Sequence, residues 1–187
     1  MAKIRILLDS NAYLRLANSF HPLLHESFGK QNYVIYVIPE FQKEFEKSTR
    51  LKNKFGWVNQ PEYVENRKHR IRVTRPQKEQ VKLTYSYIWE HNISQGLGAS
   101  RVDVRALAYG AVLGVPVITD DSDMTELGKV FGIEVKGLLD LLKLMYDANR
   151  IDFQEIKTLL DYLQYNRDLP YPSFRKDVMK AFKGFNL

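Results

Sequence analysis

Apolar residues along this 187-residue chain follow two rhythms: short unbroken runs, and positions three or four apart. The first run, Ile4, Ile6, Leu7 and Leu8, stops at Asp9 and predicts a buried strand over residues 3–9. Ser10 and Asn11 then open a short helix through Leu14, Leu16 and Ala17. His21-Pro22 interrupts it, and residues 23–28 read as a second helical piece. A second run over residues 33–38 is stopped by Pro39, and a helix begins at Glu40 with Phe41, Phe45 and Leu51 on its inner face. Residues 56–65 have weak periodicity and several turn formers, which predicts a loop. Residues 71–74 read as a short third strand closed by Arg75-Pro76. Residues 77–92 are helical in pattern, with Val81, Tyr85, Ile88 and Trp89 on one apolar face.

The densest signal lies between Gly98 and Met124. Val104, Leu107, Ala108, Ala111 and Val112 recur at helical spacing, and the β-branched run over residues 115–119 breaks into Asp120, Asp121 and Asp123. Beyond it the pattern predicts a helix over 124–130, an edge strand over 133–135, two amphipathic helices over 137–148 and 152–164, and a last helical piece over 174–182. Strands alternating with helices predict an α/β fold, with a parallel sheet covered on both faces. No linker divides the chain, so a single domain over 1–187 is expected, with a basic insertion around 50–75 and a helical extension from about 137.

Composition narrows the class. A hydrophobic share of 44% with 12% aromatic residues excludes a disordered chain. No apolar run approaches the ~20 residues that span a bilayer, and Met1-Ala2-Lys3 leads directly into the first strand, so a cytoplasmic protein is expected. With no cysteine, metal ligands must be oxygens or the four histidines, and carboxylates favour Mg²⁺ or Mn²⁺. The net charge of +6 is uneven: residues 47–82 hold eleven Lys and Arg against three acids, leaving the remainder net negative. Concentrated positive charge points to a polyanionic partner, whereas the strand-end residues are acidic.

Each acid has an ordinary reading beside a chemical one. Asp9 fits an N-cap as well as a site carboxylate. Glu44 fits a solvated helix face, with Glu40 and Glu46 as competitors. Asp103 completes a capping box with Ser100, and Asp123 offers the same pattern with Glu126. Asp121 is harder to absorb, because adjacent carboxylates after a buried strand repel one another unless compensated. Taken together, acids at the ends of separate elements on one sheet edge suit divalent-ion chemistry on a phosphodiester. The run Arg67, Lys68, Arg70 and Arg72 suits RNA contact or a solvated loop. Tyr85, Tyr87 and Trp89 suit base stacking or, for Tyr85 and Trp89, core packing.

In order and context these motifs resemble a PIN-domain ribonuclease, in particular the VapC-like toxin nucleases of toxin-antitoxin pairs. The resemblance is carried by Leu7-Leu8-Asp9-Ser10-Asn11, by Glu44 in the helix after the second strand, by Asp103 in Val102-Asp103-Val104-Arg105-Ala106, and by Thr119-Asp120-Asp121-Ser122-Asp123. It implies a three-layer α/β/α sandwich with a mostly parallel sheet of about five strands. It implies Asp9, Glu44, Asp103 and Asp121 as catalytic acids, Asp9, Asp103, Asp121 and Asp123 as ligands of Mg²⁺ or Mn²⁺, and Asn11 and Thr119 as hydrogen-bonding supports. The implied reaction is hydrolysis of RNA by metal-activated water. The implied partners are RNA, an antitoxin protein and a second copy of the chain. The alternative is a PIN-like domain that binds RNA or protein without cutting. A haloacid-dehalogenase-type phosphatase fits less well, because Asn11 stands where its second Asp belongs, and a phospho-receiver lacks its acidic pair.

Overall fold

A computed structural model describes residues 3–182. The first strand, β1 (Ile4–Leu8), lies at the centre of a five-stranded sheet, with β3 (Tyr33–Val37) on one side and β4 (Val117–Ile118) on the other, both parallel to it. The two-residue β2 (Ser27–Phe28) adds to β3 in antiparallel register, and β5 (Val135–Lys136) adds to β4 in parallel, giving the order β2-β3-β1-β4-β5.

Alternation along the strands sorts the core into two layers, since successive side chains point to opposite faces. Ile6, Leu8, Ile35, Val37 and Ile118 face one way, where α1 (Ser10–Leu16), α2 (Glu40–Lys47), α8 (Leu138–Asp147), α9 (Phe153–Tyr165) and α10 (Phe174–Ala181) cover them. Leu7, Val34, Tyr36 and Val117 face the other way, beneath α5 (Arg75–Ser94), α6 (Arg101–Leu113) and α7 (Ser122–Phe131). This is a three-layer α/β/α arrangement around a mostly parallel sheet.

Two helices sit directly on strands through glycine. A Cβ on Gly110 of α6 would meet Val117 Cγ2 at 2.5 Å, and one on Gly128 of α7 would meet Val135 Cγ2 at 2.5 Å. These approaches set the height of α6 and α7 above β4 and β5.

Three expected elements differ. Residues 23–28 are not helical: His25 has φ 72°, and Phe28 pairs with Tyr33 across a hairpin containing Gly29 at φ 68° and Asn32 at φ 59°. Residues 71–74 form no strand; Ile71 is buried, and Thr74 instead caps α5 in a reciprocal box with Gln77.

The region around 50–75 is largely helical. Ser48 breaks α2 and caps α3 (Thr49–Lys54), a 3-10 turn follows at Gly56–Asn59, and α4 (Pro61–Lys68) starts with Pro61 in its first turn. The residues expected to form a loop instead bury Val58 and Tyr63, with Trp57 4.7 Å from Tyr63 and 6.2 Å from Tyr13 of α1. Aromatic packing against α1 therefore orders a segment that lacks helical periodicity. Leu51, expected on α2, lies in α3.

Candidate active site

β1 and β4 are neighbours whose onward connections leave in opposite directions, and a crevice opens at such a point beyond the carboxyl ends of the strands. Leu8 is in register with Ile118, and the Asp9 amide donates to the Ile118 carbonyl at 3.0 Å, so Asp9 and Thr119 leave the sheet side by side. Asp121 follows two residues later.

Asp9 is 3% exposed and caps α1, accepting from the Ala12 amide at 2.5 Å. Burial pushes its carboxyl up to about 7; hydrogen bonds from Thr119 and Ala12 oppose the rise, Asp103 adds to it, and Arg15 lowers it. Thr119 is itself buried and also accepts from the Asp121 amide at 3.1 Å, so one hydroxyl joins the first and last acidic motifs. Its oxygen is 3.4 Å from Met124 Sδ as well. The single hydroxyl proton favours the carboxylate, which is the stronger acceptor.

Asp103 stands in the first turn of α6, where one oxygen, Oδ2, accepts from the Ser100 amide at 2.9 Å in a reciprocal capping box. Burial raises its pKa, the Ser100 bonds oppose the rise, and Asp121 adds to it. Glu44, half-buried on α2, accepts at Oε2 from Ser10 Oγ at 2.6 Å. Burial also raises Glu44, Ser10 lowers it, and Asp103 raises it. Asp103 is thus the hub: its charge is felt by Asp9 and Glu44, and it feels Asp121. The four acids expected from the motifs meet at one edge.

The capping and chemical readings are compatible, because a carboxylate has two oxygens. Asp121 uses Oδ1 to cap α7 through the Met124 amide at 2.8 Å, as Asp9 uses Oδ1 on Ala12 and Asp103 uses Oδ2 on Ser100. Each cap fixes the direction of its side chain.

The other predicted residues separate. Asp123 accepts from the Gly98 amide at 2.7 Å and braces the loop that leads into α6. Asn11 lies exposed and bonds none of the acids; Ser10, beside it, holds Glu44. Asp120 turns to the opposite layer, capping α8 through the Leu138 amide at 3.1 Å and facing Arg15 at 4.0 Å, while Arg15 and Lys54 both reach Asp168. Glu40 faces Arg105 at 4.0 Å, and Glu46 accepts from Gln42.

The basic run divides likewise. Arg67 turns inward, donating to the Tyr13 hydroxyl at 2.9 Å, Gln42 Oε1 at 3.0 Å and the Val58 carbonyl at 2.7 Å, so its guanidinium ties α1, α2, the 3-10 turn and α4 together. Lys68 pairs with Glu65 on the surface. Arg70 and Arg72 are exposed.

Two groups escaped the sequence reading. Ser10 was visible only as the hydroxyl between Asp9 and Asn11. Lys43, Lys47, Arg101 and Arg105 flank Glu44 and Asp103 as two pairs spaced four apart, and they line a groove against Tyr85. That spacing of four is a signal readable in the sequence.

The donor set around Asp103 is all oxygen, which suits a hard divalent ion. Among the described residues, no three His, Asp or Glu side chains are gathered tightly enough to grip an ion as they stand. Burial, and to a smaller extent the neighbouring carboxylate charge, raises Asp9, Glu44 and Asp103, and a cation is the charge that would offset both.

No family model matches the chain, and no curated protein matches it. Among solved structures it is similar to FitAcB from Neisseria gonorrhoeae, at 17% identity over 71% of this chain and 97% of that one, with a TM-score of 0.47. It is also similar to VapBC2 from Rickettsia felis bound to a promoter DNA fragment, at 11% identity over 72% of this chain and 98% of that one, with a TM-score of 0.42.

Proposed function

We propose that this chain is a metal-dependent endoribonuclease that hydrolyses RNA phosphodiester bonds with water, and that it is the toxin of a toxin-antitoxin pair. The observation that carries the nuclease reading is the convergence of Asp9, Glu44, Asp103 and Asp121 on one sheet edge, with their charges coupled through Asp103. The motif order shared with VapC-like toxin nucleases supports the toxin role, with an antitoxin, and a second copy of the chain, as protein partners. Among the described residues no helix is long and apolar enough to cross a membrane; we place the activity in the cytoplasm.

Asp9, Asp103 and Asp121 would hold Mg²⁺ or Mn²⁺, with Asp123 bracing the Asp103 side. A bound ion of this class supplies Lewis acidity toward a phosphoryl oxygen and a lowered pKa for water. The chain does the rest. Thr119 opposes part of the rise that burial imposes on Asp9 by hydrogen bonding to its carboxylate. Ser10 fixes one oxygen of Glu44, leaving the other to take a proton from the attacking water. The helix caps hold the remaining carboxylates in fixed directions, so little reorganisation is needed as charge develops.

Asp121→Asn and Asp103→Asn test this. Asn caps a helix as well as Asp, so Asp121→Asn should stay folded while Mn²⁺-dependent cleavage of RNA falls at least about 100-fold. Chelation should abolish wild-type cleavage. Undiminished cleavage in both variants, or cleavage in excess chelator, refutes the mechanism. RNA binding without cleavage under every divalent ion would leave the non-cutting alternative.

A further inference from the structure

We infer that the groove between α2 and the first turns of α6 is the track for a single polynucleotide strand entering the acidic edge. This rests on the nuclease reading for the strand's destination, but the binding surface is argued from its own residues. The groove encloses about 410 Å³, the scale of a small ligand, and so suits one nucleotide unit of a strand rather than a duplex. Glu44 lies in its wall, and so does Ser100, whose amide donates to Asp103 Oδ2 at 2.9 Å.

Four cations line it. Lys43 and Lys47 sit one turn apart on α2, both exposed, and no acceptor among the described residues takes either ammonium. Ion pairs occupy Lys54, Lys68, Lys82, Lys129 and Lys136 elsewhere on the surface. What sets the two groove lysines apart is their place beside Glu44, with their charge available to a phosphate.

Arg101 and Arg105 are held by aromatic rings rather than acceptors. The Arg105 guanidinium lies 4.0 Å from the centre of the Tyr85 ring, and that of Arg101 lies 5.5 Å from Trp89, two rings that are themselves parallel within 6°. The ring contact at Arg105 leaves its N–H donors for phosphate, and Arg101 makes no ion pair among the described residues; the one ionic contact, Arg105 to Glu40, is loose at 4.0 Å. The outer face of the Arg105 plane is a platform on which a base can stack. These cations supply what the acids cannot: attraction for a phosphate that four carboxylates repel.

The test measures binding without cleavage. Anisotropy of a short fluorescein-labelled oligouridylate is followed in EDTA across a salt series, with the wild-type chain, the triple variant Lys43→Ala/Lys47→Ala/Arg101→Ala, Arg105→Lys, and Lys176→Ala on α10 as control. At about 0.1 M salt the triple variant should bind at least about tenfold more weakly, with its salt slope smaller by about 2, or ~0.7 for each cation removed. Arg105→Lys keeps the charge and loses the plane, so affinity should drop several-fold at unchanged slope. Lys176→Ala should bind as wild type, and circular dichroism should be alike for all four. An oligothymidylate arm reports whether the ribose matters. The inference fails if the triple variant keeps wild-type affinity and slope, if a blunt duplex binds equally through the same cations, or if a poly-glutamate peptide of equal charge displaces the strand stoichiometrically. Cleavage lost with groove binding intact would remove the nuclease reading alone; cleavage intact in the triple variant at unchanged KM would remove the groove alone.

Discussion

Asp9 carries two opposed obligations: it must start α1, and it must present charge from a site almost closed to water. Its carboxyl rises from 3.8 to about 7 on folding. A raised acid holds its proton more tightly in the folded state, so stability falls as pH rises between those two values. Without divalent ions, urea titrations should show the wild type losing up to about 4 kcal/mol between about pH 4 and pH 8 relative to Asp9→Asn, which keeps the cap and has no proton to lose. A parallel pH dependence in both proteins would refute this. Arg67 makes the complementary case, since its donors are consumed inside the protein. Arg67→Ala should cost about 2–3 kcal/mol of stability and leave the salt dependence of RNA binding unchanged in the cold, where the variant remains folded.

At the scale of elements, Gly110 decides how α6 meets the sheet. Alanine has the better helix propensity, yet its Cβ would strike Val117 and come within 3.2 Å of the Val115 carbonyl. Gly110→Ala should therefore destabilise by about 1–3 kcal/mol in denaturant titration, and, by lifting the helix whose first turn carries Asp103, should lower cleavage as well. Elements whose own residues decide their structure were readable in the sequence: β1 and β3 from continuous runs, α6 through α9 from strong periodicity and caps. Residues 23–28 were misread because a left-handed His25 and pairing to β3 override a helical pattern. Residues 56–65 read as a loop because what orders them, the rings of Trp57 and Tyr63 against α1, is a contact with no local signature. The same division holds at the site. Asp9, Asp103 and Asp121 were legible because strand ends and caps locate them, whereas choosing Glu44 over Glu40 and Glu46 needed the motif, and its anchor Ser10 needed the tertiary contact.

For the molecule as a whole, the sheet gathers acids from both covering layers: Glu44 comes from one, and Asp103 from the other. A divalent ion that joins them must displace the proton that burial places on Asp9. Calorimetry should therefore show Mn²⁺ affinity falling about tenfold per pH unit below about pH 7, with proton release on binding. Affinity that does not vary with pH would show that Asp9 is not a ligand.

The caps at Asp9 and Asp121 carry an evolutionary corollary. Asparagine satisfies a helix start as well as aspartate does, so exchanging a carboxylate for an amide at either of these capping positions should leave both helices, the strand register and both core layers in place. Under the proposed nuclease function, a single amide would separate a chain that cuts from an inert decoy of the same shape. A duplicated copy could take that step without passing through an unfolded ancestor, and a protein engineer can take it deliberately.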